Sequence, residues 1–280
     1  MGWLVRKKAV AAAVLGLLTV AGCSSGGGSG STPSSSAPSA KGSDAAPPGS
    51  DTAGTEAAYH KWGLKPFAAP PTPPAEKPVK AKPGEVPVVS DIPTKDKIVF
   101  VTFDDGAEKD PKFVEMMKDL KIPFTMFLTD DIIRNDYGYF KPLQELGNSI
   151  ENHTLSHPNL RTLGEAAQKN EICTQEKKLG KEYGKEPRLF RPPYGNWNEN
   201  TRAAAKSCDL QAIILWRESM QITNMQYQRG DKKLHPGDII LAHFRGPKEL
   251  KGASMTEMTA NMLRHIQEQG FTVARLEDYV

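Results

Sequence analysis

The sequence predicts an α/β fold, a distorted (β/α) barrel with about seven parallel strands. Three observations predict it. Short apolar, β-branched runs recur from Lys97 onward, most of them are separated by helical patterns of ten or more residues, and polar residues with reactive side chains fall just after the runs. Strands alternating with helices of that length pair in parallel through right-handed crossovers. In such folds the groups that handle ligands collect beyond the carboxyl ends of the strands.

In chain order the expected strands are Ile98–Phe103, Phe124–Leu128, Ser149–Asn152, Leu189–Arg191, Gln211–Trp216, Ile239–His243 and Phe271–Ala274. The first is an uninterrupted run, which reads as a strand buried on both faces. The expected helices are Pro111–Leu120, with proline at a tolerated first-turn position, Tyr137–Leu146, Leu163–Tyr183, Asn198–Ser207 and Thr256–Gln269. Gly147, Gly184 and Gly270 follow three of them, where a left-handed cap is cheap. No repeat of solenoid length recurs.

The N-terminal part has a different composition. Arg6-Lys7-Lys8 precede an apolar run from Ala9 to Val20, a pattern that reads as a signal peptide over residues 1–22. Val20-Ala21-Gly22-Cys23 resembles a bacterial lipobox, which implies cleavage before Cys23 and a lipid on its thiol. Residues 23–90 then read as a lipidated cysteine followed by a Ser/Gly/Pro-rich linker, interrupted by Tyr59-His60-Lys61-Trp62-Gly63-Leu64. That aromatic cluster either docks on the domain or is solvated. Residues 91–280 form the expected domain. The chain is therefore expected outside the cell membrane, held to it by lipid alone. The formal net charge of +3 comes from the N-terminal part, because the charges after residue 90 nearly cancel. No basic patch with interleaved aromatics stands out, which excludes nucleic acid as a partner class. A monomer is expected. Cys173 and Cys208 fall in two helical patterns, as either a disulfide or two buried free thiols.

The strand ends carry the chemistry. Asp104-Asp105-Gly106 closes the first strand; alone it would ordinarily be a solvated turn. Two carboxylates at the mouth of a buried strand repel unless a cation sits with them. His153 and His157 follow the third strand, and an i, i+4 pair on one helical turn can reach one ion. Thr154 stands where a zincin would carry its general-base Glu, so a base must come from elsewhere. Arg191-Pro192-Pro193-Tyr194-Gly195 follows the fourth strand, a rigid loop with an arginine able to clamp a carboxylate. His243 ends the sixth strand.

Thr102-Phe103-Asp104-Asp105-Gly106, His153-Thr154-Leu155-Ser156-His157, Arg191-Pro192-Pro193-Tyr194-Gly195 and Ile240-Leu241-Ala242-His243 resemble, in order, four motifs of the polysaccharide deacetylase domain (NodB homology, carbohydrate esterase family 4). The resemblance covers roughly Lys97 to Val280 and implies metal-dependent hydrolysis of acetyl groups on a polysaccharide. It implies Asp104 as base, Asp105, His153 and His157 as metal ligands, and Arg191 as the residue that orients Asp104. It further implies the Tyr194 backbone N–H at the oxyanion, Leu241 and Trp216 at the substrate and His243 as the acid. Two imidazoles and one carboxylate favour Zn²⁺, and Co²⁺ or Ni²⁺ suits the same set.

One departure stands out. The family's fourth motif places an Asp a few residues after a Trp to tune the catalytic His. Here Trp216 is followed by Arg217-Glu218-Ser219, and the matching position is Ser219. Glu218 is expected to compensate if the strand end bends. With the anchored location, N-deacetylation of peptidoglycan amino sugars is the first expectation. Chito-oligosaccharide or acetylxylan deacetylation, or a catalytically impaired glycan-binding lipoprotein, are the alternatives.

Overall fold

The computed structural model describes residues 55–280; the expected leader, Cys23 and the Ser/Gly-rich tract to Ser50 lie outside them. In chain order come helix α1 (Glu56–Lys61), strands β1 (Val88–Val89) and β2 (Ile98–Asp105), helix α2 (Pro111–Leu120), strand β3 (Thr125–Leu128), and helices α3 (Asp130–Ile133) and α4 (Lys141–Glu145). Strand β4 (Ser149–Asn152), helix α5 (Glu165–Tyr183), strand β5 (Leu189–Phe190) and helix α6 (Glu199–Ser207) follow. Strands β6 (Ala212–Ile214), β7 (Glu218–Met220), β8 (Met225–Tyr227) and β9 (Ile239–His243), helix α7 (Met255–Glu268) and strand β10 (Thr272–Val273) complete the order.

The strands form one curled sheet in the order β1-β6-β5-β4-β3-β2-β9-β7-β8, with β10 on β2. Every pairing is parallel except the β7–β8 hairpin. β10 takes Ile98 and Val99 at the start of β2, and β3 takes Thr102 to Asp105 at its end. With β9 along its other edge, β2 is the axis of the sheet.

Strand alternation divides β2 between two cores. Ile98 and Phe100 pack inside the half-barrel with Phe127, Ile214, Ile239 and Tyr279. Val99, Val101 and Phe103 face the helices, where Phe103, Phe113, Phe124 and Phe244 meet with ring centroids 5.2–5.7 Å apart. Thr102 and Asp104 continue the inner row of β2, which delivers the first carboxylate into the mouth of the barrel.

All seven expected strands form, most trimmed by a residue or more. β1, β7 and β8 were not foreseen: Pro87 breaks the run before β1, and Glu218-Ser219-Met220 and Met225-Gln226-Tyr227 are not apolar runs. The expected helix Tyr137–Leu146 divides into a 3₁₀ turn (Tyr137–Phe140) and α4, which starts with Pro142 in its first turn. The chain before residue 91 packs on the body. Tyr59 is 2% exposed and its hydroxyl donates to the Leu120 carbonyl (3.3 Å). Trp62 Nε1 donates to Asp119 (2.8 Å), and β1 adds an edge strand to β6. Among the described residues, no helix is long and apolar enough to cross a membrane.

Candidate active site

Asp104 and Asp105 are adjacent, so alternation alone would send them to opposite faces. Asp105 avoids this by adopting a left-handed backbone (φ 73°), which turns its carboxylate toward the barrel mouth. Gly106 follows at φ 89°, where a Cβ would lie 2.5 Å from Ile133 Cγ2, so only glycine fits the turn.

His153 and His157 meet this pair from the far side of β3. Asp105 Oδ1 lies 3.5 Å from His153 Nε2 and 3.2 Å from His157 Nε2, and His153 Nε2 is 3.7 Å from Asp104 Oδ2. The expected helical turn is absent. The segment is a loop in which Thr154 (φ 72°) and His157 (φ 59°) are left-handed, and it is this reversal that brings the two imidazoles together. His153 Nδ1–H donates to the Arg191 carbonyl (2.7 Å), which directs Nε2 toward the carboxylates.

Arg191 is fully buried and ties the site to the sheet. Nη1 donates to Asp104 Oδ1 and Thr102 Oγ1, both at 2.7 Å; Nε and Nη2 donate to the Ile214 and Leu215 carbonyls. Its guanidinium stacks on Phe127 (4.3 Å) and lies 5.7 Å from the Trp216 ring. Thr102 in turn donates to the Ile240 carbonyl (2.7 Å). Tyr194 sits in the following 3₁₀ turn at φ 62°, exposed, its ring 4.9 Å from that of His157. A Cβ on Gly195 would press on Trp216 at 3.0 Å, so the glycine lets this turn close over the indole.

On β9, His243 is paired with Asp104 of β2, and Leu241 with Thr102. These pairings put both on the inner row with the carboxylate. Glu218 does not reach them. It is paired with Ile240, on the outer face, while Ser219 is paired with Leu241. Glu218 is fully buried 3.8 Å from Arg229, and burial together with Asp238 pushes its carboxyl up to about 9. The compensation expected of Glu218 is thus ruled out by strand register.

Charge and burial oppose each other across the site. Burial acts to raise Asp105, but His153 and His157 outweigh it and hold the carboxyl well below the usual range. Burial acts to lower His153, and Asp104 and Asp105 reverse this, so it is raised. For His243 burial wins over the same two carboxylates, and its value is lowered. Burial also lowers Arg191 against the pull of Asp104.

The donor set fits a divalent cation. Asp105 Oδ1 is buried with no hydrogen-bond partner, although two imidazole nitrogens stand beside it. The three donors of Asp105, His153 and His157 lie within 4.8 Å of one another. An orphaned carboxylate oxygen facing two nitrogen lone pairs is stabilised by a metal. Cys173, Glu176 and Cys208 also cluster, but Cys173 and Cys208 form a disulfide that joins α5 to α6.

Sequence reasoning missed Thr102 and Asn152. Thr102 was legible in principle, two positions before Asp104 on the same strand face. Asn152 immediately precedes His153, and its Oδ1 accepts the Thr154 N–H (2.9 Å), which stabilises the reversal of the loop.

Residues 91–213 match the sequence pattern of the polysaccharide deacetylase family. The chain belongs to the polysaccharide deacetylase family. The chain is 42% identical over 195 residues to an uncharacterized protein of Streptomyces coelicolor, covering 69% of this chain and 77% of that one. It is 26% identical over 196 residues to the peptidoglycan-N-acetylmuramic acid deacetylase PdaA of Bacillus subtilis, covering 66% and 72%. The structure of a family 4 carbohydrate esterase from Bacillus anthracis superposes with a TM-score of 0.56 at 26% identity, over 68% of this chain and 86% of that one. This polysaccharide deacetylase is accordingly a hydrolase that removes acetyl groups.

Proposed function

We propose that the protein is a metal-dependent N-deacetylase of cell-wall peptidoglycan amino sugars. The observation that carries this reading is the separation of the two carboxylates: Asp104 bound to Arg191, Asp105 turned to two imidazoles. Asp105, His153 and His157 would hold the cation, with Zn²⁺ favoured and Co²⁺ or Ni²⁺ suited to the same set. When bound, the cation polarises the acetyl carbonyl and acidifies water.

The remaining steps belong to this chain's residues. Arg191 occupies Asp104 Oδ1, which leaves Oδ2 to take a proton from the attacking water. As water oxygen bonds to the acetyl carbon, the Tyr194 backbone N–H offers a donor to the developing oxyanion. His243 gives its proton to the leaving nitrogen as the C–N bond breaks, so acetate and a free amine depart. Leu241 and Trp216 line the space for the acetyl methyl and the sugar.

The substrate assignment is supported by the peptidoglycan deacetylase named among the relatives and by the resemblance of Val20-Ala21-Gly22-Cys23 to a lipobox. A lipid there would hold the enzyme to the outer face of the cell membrane, where peptidoglycan is the nearest acetylated polymer. Acetate release from peptidoglycan fragments and from chito-oligosaccharides, before and after chelation and zinc readdition, tests the proposal. Release from peptidoglycan that stops on chelation and returns with zinc is expected. Release from chito-oligosaccharides alone would replace the substrate, and release insensitive to chelation would remove the metal.

A further inference from the structure

The loop that carries both proposed histidine ligands has little internal structure to hold it. It is not helical, and two of its non-glycine residues, Thr154 and His157, occupy the left-handed region that L-residues adopt at a cost. Local ties come from Asn152 Oδ1, which accepts the Thr154 N–H, and from Thr154 Oγ1, which accepts the His157 N–H (3.1 Å).

Further ties hold its start and its centre: the His153 N–H donates to the Leu128 carbonyl (3.2 Å), the Thr129 hydroxyl to the His153 carbonyl (2.9 Å) and the Asp131 N–H to the Leu155 carbonyl (3.0 Å). Another set leads to one short stretch of α5. The Glu171 backbone carbonyl accepts the Leu155 N–H (3.0 Å). Its carboxylate accepts the Ser156 N–H at Oε2 (2.9 Å) and the Ser156 hydroxyl at Oε1 (2.8 Å). The next carbonyl, that of Ile172, accepts Asn152 Nδ2 (2.8 Å). Leu155 is the middle residue of the His153–His157 span and Ser156 directly precedes His157, so the clamp from α5 grips the loop between the two ligands.

We propose that Glu171 is a positioning residue for His153 and His157, its carboxylate holding Ser156 so that both imidazoles are presented together to a divalent cation. A carboxylate accepting two hydrogen bonds from one residue fixes orientation as well as distance. Without it the loop samples other backbone conformations, and binding must then order it again. The competing explanation is an ordinary surface tie between a loop and a helix, since Ser156 is exposed. The two differ in what they predict for metal affinity.

The inference rests on the reading of Asp105, His153 and His157 as metal ligands. Its test is the Zn²⁺ dissociation constant of the full chain, measured by competition with a chromophoric chelator, beside the thermal midpoint in excess chelator. Glu171→Ala is expected to weaken Zn²⁺ binding about 10- to 100-fold, with a metal-free midpoint close to wild type. Glu171→Gln, which keeps one acceptor oxygen, recovers part of the loss. Wild-type affinity in Glu171→Ala, or a fall in the metal-free midpoint with affinity unchanged, would overturn the clamp. If Glu171→Ala does not fold, Ser156→Ala decides. It leaves α5 untouched and must still weaken Zn²⁺ binding several-fold; full affinity there overturns the clamp equally. Absence of Zn²⁺ binding by the wild-type protein would instead remove the metal reading itself.

Discussion

Arg191 and Asp104 form an ion pair at 2.7 Å with neither side chain exposed by more than 3%. Two charges taken this far from water are stable only together. Thr102, the Ile214 and Leu215 carbonyls and the Phe127 face occupy the rest of the guanidinium, so the pair has a single geometry. Arg191→Met should therefore cost about 3–5 kcal/mol of stability, because it leaves a buried carboxylate alone. Urea unfolding in excess chelator measures this without interference from metal. A loss below 1 kcal/mol would mean that water reaches Asp104.

The adjacent carboxylates should give unlike variants. Asp105→Asn removes the charged oxygen that faces both imidazoles, and is expected to weaken Zn²⁺ binding. Asp104→Asn is expected to keep the metal and lose turnover, as loss of a general base costs about 100- to 10,000-fold. Equilibrium dialysis with acetate-release assays separates the two. Equal loss of metal in both would refute the division of roles.

Glu218 should affect stability and leave chemistry alone. Its carboxyl rises from an ordinary 4.5 to about 9. The folded state thus holds a proton that the unfolded chain releases, and the stability from this site falls as pH rises between those values. Glu218→Gln keeps the shape without the proton. Relative to wild type it should become more stable as pH increases from 5 to 9, with a slope approaching ~1.4 kcal/mol per pH unit. Unfolding curves across that range check the sign. Turnover should stay near wild type, since Glu218 lies on the opposite strand face from His243.

The segment before residue 91 should contribute to stability. Tyr59 is buried against Leu120, and Lys61 pairs with Glu115 and Asp119 at its side. Tyr59→Ala should cost about 3 kcal/mol, the usual loss for a buried aromatic. Lys61→Ala should cost under 1 kcal/mol, because both of its ion pairs lie at the surface. Chemical denaturation distinguishes them. Similar losses would mean that the aromatic contributes no more than its neighbouring charge.

The alternation of β-branched runs with helical patterns was enough to predict a parallel α/β sheet, because period and length are local properties of the chain. The four motifs pointed to the carboxyl ends of β2, β4, β5 and β9 for the same reason: a residue that follows a strand run must lie at that strand's end. Which side chains meet there was another matter. Asp105 reaches the histidines through a left-handed residue that no propensity foretells, and His153 and His157 meet in a loop where spacing suggested a helix. Glu218, one residue from the motif position Ser219, was expected to compensate if the strand end bends, yet register with Ile240 turns it to the other face. Thr102 stands in the first motif with no role marked for it, and Asn152 and Glu171 lie outside the motifs; only the folded chain shows them against Arg191, Thr154 and Ser156. Strand ends and donor types are local features of the chain. Tertiary structure decided how they face one another, because strand register and backbone reversal depend on contacts between residues far apart in the chain.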